Sequence, residues 1–395
     1  MTTNRQTRNT LMNITACAAM SIGIFSNTAI SQTTDCSLVP NELGTIDTIG
    51  RVQHMDVVGS IMYLADGGAG FQIIDANDPE NPIYMGNVQV GGDFGAYATD
   101  VYVVGAVAYV TDRFGGLSII DVSDPFFPQL LGVTNNLSGP NGIVVHGDYA
   151  YIADGLEGLK IVDIRVAVRP VVVGVYDTPG NSEGIAVEGS IAYIADGING
   201  GMQIIDVIDP SNPSLLSSTP RPNNTFGIDI KGSVVYLADG SSGLASFDVS
   251  DPSMPVLLDA IPTMSAVWDV VVDDGMAYIA ENTVGMRVIA IHDPSNMTEF
   301  ASFPTSDWNR GIARSDSRTY LSNSDDGVIV MNMIVECTDH CPADLTADGT
   351  LSFFDVSAFL QAYGNADPIA DFTGDGAFDF FDVSAFLTAF SAGCP

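Results

Sequence analysis

The sequence predicts an all-β seven-bladed propeller followed by a small α-helical domain with two EF-hand-type calcium loops. Three observations lead there. A tyrosine inside a short apolar run returns seven times, at a spacing in the low forties. The runs around it are separated by glycine turns and Asp-Pro pairs, with no helical period. The last 55 residues, from Cys341, carry eight aspartates but no Glu, Lys or Arg.

The recurring tyrosines are Tyr63, Tyr109, Tyr151, Tyr193, Tyr236, Tyr278 and Tyr320. A period of about 42 residues with strand-like content is the mark of propeller blades. In the fourth repeat Gly184–Glu188, Ile191–Ala195 and Gly201–Asp206 read as three strands, and a fourth lies around Leu215-Leu216. Tight glycine turns join the first three, as an antiparallel meander requires. Proline donates nothing to a ladder, so Asp78-Pro79, Asp124-Pro125, Asp251-Pro252 and Asp293-Pro294 mark loops.

Two positions carry their own reasons. Seven residues after each tyrosine stands glycine (Gly70, Gly116, Gly158, Gly200, Gly243, Gly285, Gly327), which points to positive φ or close backbone approach. Three residues after it stands Asp66, Asp112, Asp154, Asp196, Asp239, Glu281 or Asn323, expected to cap backbone amides in the turn. A strand of the Leu-Gly type follows the first six repeats, but the matching segment Glu42–Ile46 precedes repeat one. It is therefore expected to complete the last blade and leave no open edge.

Composition narrows the partners. With 48 acidic against 13 basic side chains and a net charge of −35 in 395 residues, the surface repels nucleic acid and anionic lipid. At 46% hydrophobic the chain is not mainly disordered. Residues 1–31 read as a secretory signal: Arg5 and Arg8, an apolar stretch from about Leu11 to Ile24, then Ala29-Ile30-Ser31. No span is expected in the mature chain. Four cysteines then remain, Cys36, Cys337, Cys341 and Cys394, and an even number in an exported protein suggests disulfides. Of three pairings, 36–337 with 341–394 matches the domain limits 36–337 and 341–395; a zinc site is the competing reading.

Two twelve-residue segments begin at Asp344 and Asp371, each with glycine at position six (Gly349, Gly376). The expected calcium ligands are Asp344, Thr346, Asp348, Thr350, Ser352 and Asp355 in loop one. In loop two they are Asp371, Thr373, Asp375, Ala377, Asp379 and Asp382, with Thr350 and Ala377 acting through their carbonyls. Loop two has four carboxylates against three, so it is expected to bind calcium more tightly. Each loop runs into the same heptapeptide, Phe354–Leu360 and Phe381–Leu387. That places Val356, Phe359 and Leu360 on one helical face, and likewise Val383, Phe386 and Leu387.

Ten residues before each tyrosine, at the mouth of the innermost strand, stand Gln53, Thr99, Asn141, Glu183, Phe226, Trp268 and Arg310. The blades agree elsewhere and disagree here, which fits a binding site as well as relaxed solvent positions. Trp268 and Arg310 are the most suggestive. No nucleophile motif, histidine cluster or paired acid and base stands out, and no catalytic residue is expected.

The blade consensus Gly116–Pro125 resembles the LVIVD repeat of exported bacterial β-propellers, over roughly residues 41–335. The last two copies drift, with Ala290 and Asn332 where Asp121 stands in the second. The duplicated loop–helix units, flanked by Cys341-Pro342 and Gly393-Cys394-Pro395, are similar to the GC-type dockerin of exported planctomycete proteins. Threonine at position three departs from that pattern, which usually carries Asn or Asp. The dockerin resemblance implies that Phe353, Phe354, Phe380 and Phe381 recognise a cohesin-like partner, one of each pair docking and one packing. The expected function is an exported, non-enzymatic binding or scaffold protein at the cell surface. Its propeller would be the interaction platform, with an unidentified ligand at the mouth, and its calcium-dependent tail the attachment. A carbohydrate-active propeller enzyme carried by a dockerin, a purely structural envelope protein, and a tail that only caps the chain are the alternatives.

Overall fold

The computed structural model describes residues 35–91, 95–221, 223–273, 275–305, 307–323, 327–338, 343, 345, 352–365, 367–373 and 377–392. The expected signal, Cys341, Cys394, Asp344, Thr346, Asp348, Thr350 and Asp375 lie outside them, as do the side chains of Cys36, Cys337 and Phe354. The chain divides into two compact units, residues 40–333 and a second that includes 334–395.

The first unit is a ring of seven four-stranded antiparallel sheets. Blade one comprises His54–Val58, Ile61–Ala65, Phe71–Asp75 and Ile83–Val88. Its first strand is innermost, as are Ala98–Val104, Gly142–His146, Gly184–Glu188, Ile228–Lys231, Val267–Asp273 and Ile312–Ser315 in the blades that follow. Each innermost strand packs on the next, and the seventh packs on the first. Closure follows the expected plan: Asp35–Ile46 pairs with Gly327–Thr338 as the outer strand of the last blade.

The core lies between neighbouring blades. Tyr63, Phe71 and Ile73 of blade one meet Val101, Val110 and Ile120 of blade two. Ile46, Tyr320 and Val328 meet Met55, Met62 and Leu64 across the closure. All seven repeated tyrosines are buried in this way. Strands alternate their side chains, and here both faces of a blade are covered, so the middle strands are buried and mostly apolar, with single polar residues such as Gln72, Ser118, Gln203 and Arg287 among them.

The repeated glycines meet both constraints at once. Gly116 has φ +79°, and a Cβ there would stand 2.1 Å from the Thr134 carbonyl oxygen. The fourth repeat corrects the sequence expectation: it carries one more residue in this turn, so Gly201 (φ +66°) takes the position in place of Gly200. The outer-strand glycine also proves particular to blades one to three and to the closing strand, where Gly44 meets the Pro79 carbonyl. Gly86, Gly132 and Gly174 admit the Pro125, Ala167 and Pro210 carbonyls, whereas blade four uses Ser217, whose hydroxyl donates to the Pro252 carbonyl at 2.6 Å.

Five of the repeated acids, Asp66, Asp112, Asp154, Asp196 and Glu281, do cap amides, but in the loop about 16 residues upstream and not only in their own turn. Asp239 takes the Arg221 guanidinium instead. Buried Asp66 accepts from Gly50 N–H at 2.9 Å, Asp154 from Ser138 and Gly139, and Glu281 from Ser265 at 2.6 Å. These amides lead into the next turn of chain and have no ladder partner, so the carboxylate supplies one.

In the second unit, α1 (Phe353–Gly364) and α2 (Phe380–Ala392) pack through Phe359 and Phe386, both about 1% exposed and stacked at 4.1 Å. Phe372 closes edge-on against both rings. The expected helical face is narrower than the sequence suggests. Leu360 and Leu387 are exposed, because Phe359 and Phe386 fill the small core without them.

Candidate functional site: the propeller mouth

Inner strands of adjacent blades do not form a ladder with one another, so their amides need other acceptors. Four aspartates supply them by the same device. Asp100 accepts from its own neighbour Val101 (2.7 Å) and from Ile143 of the next blade (2.8 Å). Asp56 joins Val57 and Val103, Asp229 joins Ile230 and Val272, and Asp269 joins Val270 and Ile312, all at 2.7–2.9 Å. Burial raises Asp229 to about 6 and raises Asp56, despite these donors.

His54 spans the channel between two of the clamps. Its Nδ1 lies 2.6 Å from Asp100 and its Nε2 lies 3.0 Å from Asp269, on blades two and six. Burial alone would lower the imidazole, but the two carboxylates outweigh it and hold it well above its usual range. His54 is therefore cationic at neutral pH and ties three blades together.

Above this layer, all seven residues singled out ten positions before the tyrosines line one cavity of about 490 Å³. Phe226 and Trp268 stack at 3.9 Å, and the Arg310 guanidinium lies over Trp268 at 4.4 Å. Arg310 Nη1 donates to Gln53 at 2.6 Å, so one run of side chains spans blades five, six, seven and one. On the opposite side Thr99 donates to the Pro140 carbonyl (2.8 Å), Asn141 to the Ser182 carbonyl (2.9 Å), and Asn181 to Glu183. Thr99 and Trp268 are the unpaired residues of bulges in their strands, and a bulge re-aims a side chain. Burial lifts Glu183 to about 7, against the opposing pull of Arg310, Asn181 and Arg113.

Sequence reasoning missed His54, Asp100 and Asp269, and with them Arg113 and Tyr97. A signal existed one residue after each mouth position. Four blades carry glycine there, Gly142, Gly184, Gly227 and Gly311, where a Cβ would stand within about 3 Å of the next blade's mouth carbonyl. The other three carry His54, Asp100 and Asp269.

In the second unit, Asp355 and Asp382, the twelfth loop residues, are fully buried. Asp382 accepts from Thr373 N–H (3.0 Å), Thr373 Oγ1 (2.9 Å) and Asp379 N–H (2.9 Å). Asp355 accepts from Ser352 N–H at 2.7 Å. Among the described residues no three His, Cys, Asp or Glu side chains gather as a metal-holding group. Phe353, Phe380 and Phe381 are each more than 60% exposed. For the second pair this corrects the expected division of labour: neither ring packs, because the core is already filled by Phe359, Phe372 and Phe386. No helix among the described residues is long and apolar enough to cross a membrane.

Six stretches, residues 49–90, 95–135, 141–178, 179–219, 224–263 and 266–305, match the LVIVD repeat. The chain belongs to the LVIVD repeat family. The matched stretches are blades one to six of this LVIVD propeller; blade seven, where Asn332 replaces the aspartate, is not among them. No curated protein matches the chain. Among solved structures it is similar to the computationally designed Ika8 protein (9% identity, TM-score 0.56, 74% of this chain and 99% of that one). A chain of the mitotic checkpoint complex has 12% identity and a TM-score of 0.59, over 78% of this chain and 96% of that one. Raptor from Chaetomium thermophilum has 12% identity and a TM-score of 0.62, over 76% of this chain but 29% of that one. At such identities the likeness is one of fold.

Proposed function

We propose that this LVIVD propeller is an exported, non-enzymatic binding protein whose mouth holds the ligand and whose calcium-dependent tail attaches it to a cohesin-like or surface partner. The observation that carries the reading is the mouth itself. Blades alike elsewhere place seven unlike side chains around one cavity, within the 300–1,000 Å³ typical of small-ligand sites. A propeller fold is in general an interaction platform, and the carboxylates that share the cavity with Glu183, namely Asp56, Asp100, Asp229 and Asp269, are each engaged by two backbone amides of the inner strands.

The tail is read from donor chemistry. Asp355 and Asp382 are buried carboxylates in a segment with no Lys or Arg after Cys341, and a buried charge needs a cation or dense hydrogen bonding. Asp371, Thr373, Asp375, Asp379 and Asp382, with the Ala377 carbonyl, would hold calcium in loop two, as hard oxygen donors suit that ion. Phe353, Phe380 and Phe381 then form the exposed docking surface. The disulfides belong to the same reading. Of the three possible pairings, 36–337 with 341–394 is the one that matches the domain limits.

The test is capture of secreted and envelope components of the source cell on the full chain, with and without chelator. Capture lost on chelation and on F380A/F381A supports attachment through the tail, and capture lost in W268A supports the mouth. Capture indifferent to all three contradicts the proposal.

A further inference from the structure

Four arginines of this propeller, Arg165, Arg221, Arg287 and Arg314, are ion-paired with Asp163, Asp239, Glu281 and Asp273. Of the three that line the cavity, Arg314 is thus neutralised, and Arg113 and Arg310 are not. Arg113 donates to the neutral Asn141 amide at 3.5 Å and lies over the Tyr97 ring at 5.3 Å. Arg310 donates to the neutral Gln53 amide and lies over Trp268. Among the described residues neither has a carboxylate within ion-pair distance. A chain of net −35 thus holds two guanidinium groups at the mouth cavity, on partners that orient them without neutralising them. Arginine presents a planar fork matched to carboxylate and phosphate oxygens.

Resting on the reading of the mouth as the binding site, the geometry points to a small ligand bearing an oxyanion, either carboxylate or phosphate. The oxyanion is taken between Arg113 and Arg310, and a hydroxylated body faces Gln53, Thr99 and Asn141. Glu183 is the internal competitor for the same guanidinium groups. It lies near enough to feel both, and its burial keeps it about half protonated near pH 7. Protonated, it leaves the two cations to the ligand. Ionised, it repels the incoming oxyanion. The other titratable groups lining the cavity are His54, held between Asp100 and Asp269, the carboxyls Asp56 and Asp229 and the Tyr102 phenol, all three raised by burial, and Arg314, paired with Asp273.

Isothermal titration of the full chain with galacturonate, glucose 6-phosphate, inorganic phosphate and neutral galactose tests this. At least one of the oxyanion probes binds and galactose does not; the arms tell a sugar carboxylate from a phosphate. Read against the affinity of the dianionic form for the phosphates, or directly for galacturonate, affinity falls about tenfold per pH unit above 7 in the wild type and stays level in E183Q. R113Q and R310Q each weaken binding roughly tenfold or more; if R310Q does not fold, R113Q carries the reading. Galactose binding as well as galacturonate, no response to any oxyanion, or a pH profile unchanged in E183Q overturns the inference. Partner capture that W268A abolishes, with no oxyanion response, would sink the inference while leaving the mouth as a binding site.

Discussion

Replacing His54 with leucine removes the cation that joins Asp100 and Asp269 across the channel. Both carboxylates stay in place, because each is fixed by two backbone amides. At contacts of 2.6 and 3.0 Å, each attraction is about 6 kcal/mol gross at an effective dielectric near 20. Removing one member of a buried pair costs about 3–5 kcal/mol. The imidazole keeps 33% of its side-chain surface open to the cavity, where water screens it, so we expect about 2–3 kcal/mol. The pH dependence supplies the signature. A histidine raised in the folded state contributes its full stability below the unfolded value near 6.5, and loses it as pH rises through the folded value. Glu183, at about 7, acts lower, and the buried tyrosines, raised from 10, act only from about pH 9 upward, so the loss between these belongs to His54. Urea unfolding from about pH 6 to 9 measures it: wild-type stability declines on the alkaline side, and His54→Leu is lower at pH 6 and flatter. A cost below about 0.5 kcal/mol at pH 6, or an unchanged alkaline slope, would refute the bridge.

Other consequences are as direct. Gly116→Ala combines positive φ with a Cβ 2.1 Å from a carbonyl and should cost about 3 kcal/mol or more. Gly147→Ala, at φ +60° in open space, should cost about 1 kcal/mol in the same denaturation assay. Glu183→Gln should stabilise the protein above pH 7 by about 2 kcal/mol, since the folded state keeps a proton there that the unfolded chain loses from about 4.5 upward. Thermal melts at pH 5 and 8 should show the gain only at the higher value. Chelation should reduce far-UV helical signal if the tail holds calcium, and Asp382→Ala should remove the tighter of two calcium-binding steps in a titration.

The blades were legible because the repeat keeps one phase: the tyrosine, the glycine and the acid each answer to the same backbone need seven times. The mouth was legible for the opposite reason, as the position where that phase carries no common residue. The layer beneath was not, because His54, Asp100 and Asp269 belong to blades one, two and six and meet only when the ring closes. Bulges at Thr99 and Trp268, which no spacing announces, also set how two mouth residues point. The shift from Gly200 to Gly201 came from a single inserted residue. In the tail, adjacent Phe380 and Phe381 were expected to divide between core and surface, but three other rings already fill so small a core.

Only two tryptophans are present, Trp268 and Trp308, so in a Trp308→Phe variant all indole emission comes from the mouth. Titrating that variant with galacturonate and with inorganic phosphate, beside calorimetry on the same samples, asks directly whether ligands settle there. The account predicts an emission change that saturates with the measured heat and disappears in Arg310→Gln. Heat of binding with Trp268 emission unmoved would contradict it.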